Sequence, residues 1–116
     1  MGLLGRLRRP GRRGRPGTTR QAVSDDRKHL EEFASTRSGV EAFVEPQTAV
    51  TGTTVVLVAR DGEWTRRRVP SPRVVHEWAN DLGIPSYDAA VVGYPQRMRD
   101  WTARKSAAQK RLLAGE

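Results

Sequence analysis

Apolar and polar residues alternate most clearly in the middle of the chain, where two strand-like segments flank a turn sequence. The first segment covers residues 53–59, the second covers residues 64–69, and the four residues between them include Asp61-Gly62. An Asp-Gly pair between two strands favours a two-residue type I′ turn, because both central residues of that turn take positive φ. The pattern therefore predicts a β-hairpin with a tight turn at Asp61-Gly62.

The segment before the hairpin is predicted to hold one helix and one strand. Ser24 is placed to cap a helix that ends at Gly39, with acidic residues in its first turn. Residues 40–45 then alternate with a period of two, and Pro46 is expected to stop that strand because proline lacks the N–H that a sheet ladder needs. A helix followed by a strand is the expected result.

The segment after the hairpin is predicted to hold two helices and a strand. Ser71-Pro72 is typical of a helix start, and apolar residues recur at helical spacing until Gly83. Residues 87–94 resemble a buried strand, and Pro95 can open a last, basic helix. The whole order is α-β-β-β-α-β-α, which indicates a small α+β fold with a mainly antiparallel sheet and packed helices.

The first twenty residues differ sharply in composition from the rest. They contain seven Arg, five Gly, two Pro and no acid, whereas residues 21–116 carry fourteen basic and thirteen acidic groups. Glycine and proline disfavour both helix and sheet. We therefore expect a disordered basic arm over residues 1–22 and a single domain over residues 23–116.

Size and composition exclude several classes of protein. About 95 residues remain without the arm, enough for one small core. The absence of cysteine excludes disulfides, thiolate metal sites, iron–sulfur clusters and a cysteine nucleophile. The longest apolar run, residues 55–59, is far too short to span a bilayer. A cytoplasmic protein is expected.

Part of the arm resembles a known DNA-binding motif. Arg13-Gly14-Arg15-Pro16 is similar to the core of the AT-hook, although Arg12 stands where that motif usually has proline. The resemblance implies insertion into the minor groove of A·T-rich DNA. The alternatives are phosphate binding without sequence preference, a solubilising tail whose arginines reflect GC-rich codons, and a short membrane anchor formed with Leu3, Leu4 and Leu7.

The second strand of the hairpin adds a candidate binding surface. Trp64 could stack on a base while the three arginines after it contact phosphates. The alternative is that Trp64 lies in the core and the arginines are solvated or pair with Glu41 and Glu45 across the sheet. The candidate nucleic-acid-binding residues are Arg6, Arg8, Arg9, Arg12, Arg13, Arg15, Trp64, Arg66, Arg67 and Arg68.

No catalytic, cofactor-binding or metal-binding residue is assigned. The segment His76 to Asn80 is similar to the zinc-protease motif HExxH, but Asn80 replaces the second histidine, so two ligands cannot share one helical face. Neither His29 nor His76 has a recognisable nucleophile nearby in the sequence. Enzymatic activity is therefore left open, and a non-enzymatic protein without cofactors is favoured.

The domain from about Leu30 to Trp101 also resembles a family of short, uncharacterised actinobacterial proteins. The segments that carry this resemblance are residues 39–46, 53–72 and 87–100. Some family members are labelled oxidoreductase, and this is the activity that the resemblance implies. The resemblance does not assign catalytic or binding residues in this chain. We hypothesise a small binding protein whose partner is nucleic acid or a ribonucleoprotein rather than a membrane surface; a protein-interaction adaptor and a small oxidoreductase are the alternatives.

Overall fold

A computed structural model describes residues 20–50 and 52–115, which form a four-stranded sheet and four helices. The predicted order of elements is confirmed, with one short helix added after the last strand. The elements are α1 (Arg20–Thr36), β1 (Glu41–Thr48), β2 (Gly52–Val58), β3 (Trp64–Arg68), α2 (Pro72–Asp81), β4 (Ser86–Asp88), α3 (Ala89–Val92) and α4 (Gln96–Leu113).

The strands lie in the order β3-β2-β1-β4. The pairs β1–β2 and β2–β3 are antiparallel, whereas β4 pairs with β1 in parallel. A parallel neighbour needs a crossover connection, and the segment containing α2 supplies it. The predicted α+β class with a mainly antiparallel sheet is therefore confirmed.

Helices cover both faces of the sheet, and alternate residues of each strand point to opposite faces. On the front face, Ala42 and Val44 of β1 pack with α1 and α2, through residues such as Phe33 and Val75. On the back face, Phe43 packs with residues from β4, α3 and the start of α4. Because β2 lies in the middle and is buried on both sides, its sequence is a continuous apolar run rather than an alternating one.

The first strand is longer than predicted. It runs through Pro46 to Thr48, so the prediction that Pro46 stops it is wrong. β4 pairs only with Ala42, Phe43 and Val44, and the pairing with β2 shifts register between Glu45 and Thr48. The missing N–H of Pro46 therefore falls at an irregular, one-sided part of the ladder, where proline is tolerated.

The β2–β3 hairpin is confirmed, but its predicted two-residue turn is wrong. Ala59 and Glu63 extend the hairpin by one pair, because the Ala59 N–H donates to the Glu63 carbonyl (2.8 Å). Three residues, 60–62, then form the loop, in which the Gly62 N–H donates to the Ala59 carbonyl (2.9 Å). Gly62 has φ 98°, whereas Asp61 does not have positive φ, as a type I′ turn would require. A single positive-φ residue is the pattern of the three-residue hairpin loop.

The start of α1 also differs from the prediction. The helix begins at Arg20, so Ser24 lies in its second turn and the prediction that Ser24 caps it is wrong. The predicted boundary between arm and domain, after residue 22, lies inside this helix. One reason is that Gln21 donates to the Asp25 carboxylate (2.9 Å) one turn later, which stabilises the turn before Ser24.

By contrast, α2 begins as predicted. Ser71 is its N-cap and accepts a hydrogen bond from the Val74 N–H (3.2 Å), with Pro72 at the first helical position. We expect Ser71→Ala to lower the free energy of unfolding by about 1 kcal/mol, because one N–H at the helix start loses its acceptor. Urea unfolding measures this. Ser35→Ala, at an exposed site in the last turn of α1, is the control, and equal losses in both variants would contradict the capping role.

The predicted strand over residues 87–94 is wrong beyond Asp88. The Asp88 carboxylate accepts from the Ala90 N–H (3.0 Å) and caps the short helix α3 instead. Ala89 is buried, but Val91 and Val92 are 78% and 55% exposed. An apolar run of four residues does not distinguish a buried strand from a helical turn, and here the Asp88 cap favours the helix.

Candidate functional site

The predicted site residues on β3 divide between the two faces of the sheet. Arg66 lies on the back face and forms two hydrogen bonds with the Glu45 carboxylate, from Nε (2.9 Å) and Nη2 (3.0 Å). Arg67 lies next to α1, with Nε 3.4 Å from Asp26 Oδ1. Arg68 ends β3 on the same side of the strand as Arg66, and the residue also borders a cleft against α1. Arg66 therefore forms the ion pair with Glu45 that the alternative interpretation of the sequence predicts.

Trp64 lies beside Arg66 and contacts the last helix. It is half-buried, and its Nε1 donates to Thr102 Oγ1 of α4 (2.8 Å). The Arg66 guanidinium lies 5.3 Å from the centre of its ring system, in cation–π geometry. One face of the indole is therefore already covered by a charged group of the same domain.

Glu45 is the centre of a hydrogen-bonded cluster on the back face. Besides Arg66, it accepts from Thr54 Oγ1 (2.6 Å) and from the Tyr94 hydroxyl. Burial would raise the pKa of Glu45, but the bonds from Arg66, Thr54 and Tyr94 outweigh it, and the pKa is lowered. Burial and the bond to Glu45 both raise the pKa of Tyr94. The charged carboxylate and the neutral phenol thus stabilise each other.

Glu41 repeats this arrangement four residues earlier on the same strand. Its carboxylate accepts from the Tyr87 hydroxyl (3.1 Å) and from Arg97 Nη2 (2.5 Å), and Arg97 Nε donates to the Ala59 carbonyl (3.0 Å). The bond to Glu41 raises the pKa of Tyr87. Each carboxylate of β1 therefore lies between one tyrosine and one arginine.

Phe43 separates the two carboxylates and packs against both tyrosines. Its ring centre is 5.3 Å from that of Tyr87 and 6.0 Å from that of Tyr94. We name this cluster the back-face network, formed by Glu41, Phe43, Glu45, Arg66, Tyr87, Tyr94 and Arg97. In the described chain, every buried side-chain nitrogen or oxygen has a hydrogen-bond partner. The network connects α3 and α4 to the sheet, and its carboxylates are already occupied by internal donors.

The last helix leaves this network and becomes fully exposed. Met98 and Trp101 are half-buried, but all residues from 102 to 113 are exposed, including Leu112 (75%) and Leu113 (83%). We name residues 102–113 the distal α4 segment. Its four charged residues, all basic, are Arg104, Lys105, Lys110 and Arg111.

The contacts of this segment do not neutralise its charge. Arg104 Nη2 donates to the Asp61 backbone carbonyl (3.1 Å), and Lys105 Nζ lies 5.0 Å from the centre of the Trp101 ring. Neither partner is a carboxylate. The sequence indicates a basic last helix, but only the structure shows that the cations of its distal part face solvent.

Both histidines contact a hydroxyl group. His76 Nδ1 is 2.6 Å from Ser86 Oγ, and His29 Nε2 is 2.6 Å from Thr65 Oγ1. Burial, followed by the charge of Arg67, lowers the pKa of His29. The Ser86–His76 contact was not predicted, because the two residues belong to different elements. A catalytic dyad also needs a group that orients the histidine, and no carboxylate among residues 20–50 and 52–115 bonds to the His76 ring.

The described residues also bear on metal binding and on membrane-spanning helices. Within the described part of the chain, no three His, Asp or Glu side chains converge as a metal site. Likewise, none of the described helices has the length and apolar character needed to cross a bilayer. The six candidate arginines of the arm lie outside the described residues, so the AT-hook resemblance stays a prediction; they are Arg6, Arg8, Arg9, Arg12, Arg13 and Arg15.

Comparison of the chain with models of known protein families, with curated proteins and with solved structures finds no match. The resemblance to the actinobacterial family and the activity it implies stay predictions.

Proposed function

We propose that the protein binds nucleic acid through phosphate contacts made by its two cationic ends. The arm holds seven arginines and no acid, and residues 95–116 hold six basic and two acidic groups. Residues 21–94 between them carry eight basic and eleven acidic groups. A polyanion is attracted to both ends and not to the middle of the chain.

The observation that carries this proposal is the distal α4 segment. Its four cations are exposed and form no ion pair with a carboxylate of residues 20–50 and 52–115, whereas Arg66, Arg67 and Arg97 pair with carboxylates. Cations that approach phosphates release condensed counterions, which is the main source of affinity in binding without sequence preference. The distal α4 segment offers four such contacts.

The distribution of residues around the segment favours nucleic acid over a membrane surface. A helix that lies on a membrane needs an apolar face separate from its cationic face. Here Lys105 and Leu112 are seven residues apart and share one face of α4. Apolar and cationic side chains are therefore interleaved.

We place the domain's contact on α4 rather than on β3. Arg66 is paired with Glu45 and covers the Trp64 ring, so a base could stack there only after the back-face network opens. Arg67 is likewise engaged with Asp26. The arm arginines are the second contact of the proposed interface, and the β3 residues Trp64 and Arg68 are secondary to α4.

The first test measures the salt dependence of binding by fluorescence anisotropy, with labelled duplex DNA and single-stranded RNA between about 50 and 200 mM salt. Glutamine at all four basic positions of the distal α4 segment should reduce the slope of log K against log salt by about three to four units. The matched control replaces four exposed cations of the net-negative middle by glutamine: Arg27, Lys28, Arg60 and Arg73.

The outcomes separate local contacts from net charge. The control variant should keep most of the wild-type slope, whereas equal loss in both variants would mean that only total charge matters. Replacing the six candidate arginines of the arm, all except Arg20, by glutamine should weaken binding further, and an AT-hook would add a preference for A·T-rich duplexes. Absence of DNA and RNA binding by the wild type at low salt would refute the proposal.

A further inference from the structure

The front face carries an open apolar cleft between α1 and α2. It encloses about 200 Å³, and its floor includes Leu30, Val55 and Val75. Val23 of α1 and Val74 of α2 also line it and remain 45% and 44% exposed. These exposed fractions show that the apolar lining of the cleft opens to the surface of the described part of the chain.

We propose that this cleft binds a small monocarboxylate with an aromatic body, with the ring between α1 and α2 and the carboxylate on Arg27. The volume of the cleft is comparable to that of an apolar protein cavity of about 150 Å³ in which benzene binds. Trp78 in the lining offers an aromatic surface to such a ring. An apolar site with few polar groups at its edge is the usual form of a small-molecule site.

The charge at the cleft selects an anion. Two charged residues, Arg27 and Arg68, border it. The strand register places the Arg68 side chain on the back face, so Arg27 supplies the positive charge on this side. Val23, Arg27 and Leu30 share one face of α1, so the guanidinium of Arg27 follows directly from the apolar wall. Arg27 now pairs with Glu31 at 3.1 Å, but the two side chains are 74% and 46% exposed, and such exposed pairs contribute little. Arg27 can therefore turn to a ligand at small cost.

The same charge argues against the chain's own exposed apolar residues as occupants. Leu112 and Leu113 of another copy would bring Lys110 and Arg111 towards Arg27. Like charges at close range disfavour this contact. The cleft also lies on the opposite face of the sheet from the back-face network, so binding there does not require the proposed contacts of the distal α4 segment.

The first experiment titrates the isotope-labelled full chain with phenylacetate and follows amide resonances by NMR. We expect saturable shifts at Val23, Val74 and Trp78. Neutral phenylacetamide should bind roughly fivefold more weakly because it lacks the charge-assisted bond, and acetate should cause no shifts at the cleft because it lacks the ring. Equal affinity for phenylacetate and phenylacetamide, or no shifts at these residues, would overturn the proposal.

A pair of matched variants separates the cleft from general surface charge. Arg27→Gln should weaken phenylacetate binding roughly fivefold. Arg73→Gln removes a cation from an equivalent pair, Arg73–Glu77 at 3.1 Å, which does not line the cleft, and should leave binding unchanged. Equal weakening of phenylacetate binding in both variants would overturn the proposal. Resonance shifts at the cleft that appear when the protein concentration is raised without phenylacetate would also overturn it, because they would indicate a second copy of the chain as the occupant.

Discussion

Gly62→Ala is expected to lower the free energy of unfolding by about 3 kcal/mol, combining backbone strain with a steric clash. Gly62 has φ 98°, a region that residues with a Cβ rarely adopt. A Cβ at this position would lie 2.0 Å from the Arg97 carbonyl oxygen and 2.9 Å from Trp101 Cβ. The hairpin loop therefore approaches α4 at a distance that only glycine permits.

The hairpin loop and α4 cannot easily move apart to relieve this clash. Arg97 donates to the Ala59 carbonyl at the base of the hairpin loop and to Glu41 in β1. Separation of α4 from the loop would break both contacts. We expect Gly62→Ala to lose stability and to weaken the attachment of α4 to the sheet.

Gly83→Ala is the matched control for this prediction. Gly83 also has positive φ, 73°, but a Cβ there would meet no atom within 4 Å. It should cost only about 1 kcal/mol, from backbone strain alone. Urea unfolding of the two variants and the wild type measures the difference, and equal losses at both positions would show that the Gly62 contact with α4 has no energetic role.

The second large effect is expected for Glu45→Gln, which should lower the free energy of unfolding by about 2 kcal/mol. The substitution keeps the shape of the side chain but removes the charge that Arg66, Thr54 and Tyr94 donate to. Breaking a fully buried pair costs about 3–5 kcal/mol. The smaller value applies because the Arg66 side chain is 45% exposed and regains some hydration.

The stability that Glu45 contributes to the folded protein should decrease on acidification. The pKa of Glu45 is lowered in the folded protein from its ordinary value of 4.5. A lowered pKa means that the unfolded chain binds the proton more readily, so the stabilisation is present above about pH 4.5 and is lost as the pH falls further. Below the folded-state pKa the wild type and Glu45→Gln should therefore approach the same stability.

Chemical unfolding at a series of pH values tests both statements. His29, whose pKa is also lowered, contributes a loss of stability on acidification in both proteins, so the difference between them isolates Glu45. Glu77→Gln, in an exposed pair with Arg73, is the control and should change stability by about 0.5 kcal/mol or less. A constant difference between wild type and Glu45→Gln down to strongly acidic pH would contradict the assigned role.

Elements with signals inside a few residues could be predicted from the sequence. Ser71-Pro72 marked the start of α2, and the apolar run of β2 next to an Asp-Gly turn indicated the hairpin. Some predictions failed because another local contact was formed, as at the Asp88 cap of α3, and others because a contact from elsewhere in the chain competed with the local pattern. Gly62 is required by its approach to Arg97, a residue 35 positions later, rather than by the two-residue turn that its sequence favours.

The candidate site was predicted less completely than the fold. Alternation along β1 and β3 allowed Arg66 to pair with Glu45, but the sequence also left a solvated face and contact with phosphates open. The tyrosine donors come from β4 and from the loop before α4, more than forty residues away from Glu41 and Glu45. No local pattern indicates such a contact, because it depends on the strand order and register of the folded sheet.

The sequence by itself determined the positions of the main helices and strands and the charge of each segment, because periodicity, capping and composition are local or additive along the chain. Only the tertiary structure decided which cations are neutralised. Ion pairs need atoms within about 4 Å, and folding brings Glu41 and Glu45 to Arg97 and Arg66 while the distal α4 segment extends into solvent. The cleft between α1 and α2 likewise exists only because two helices distant in sequence pack on one face of the sheet.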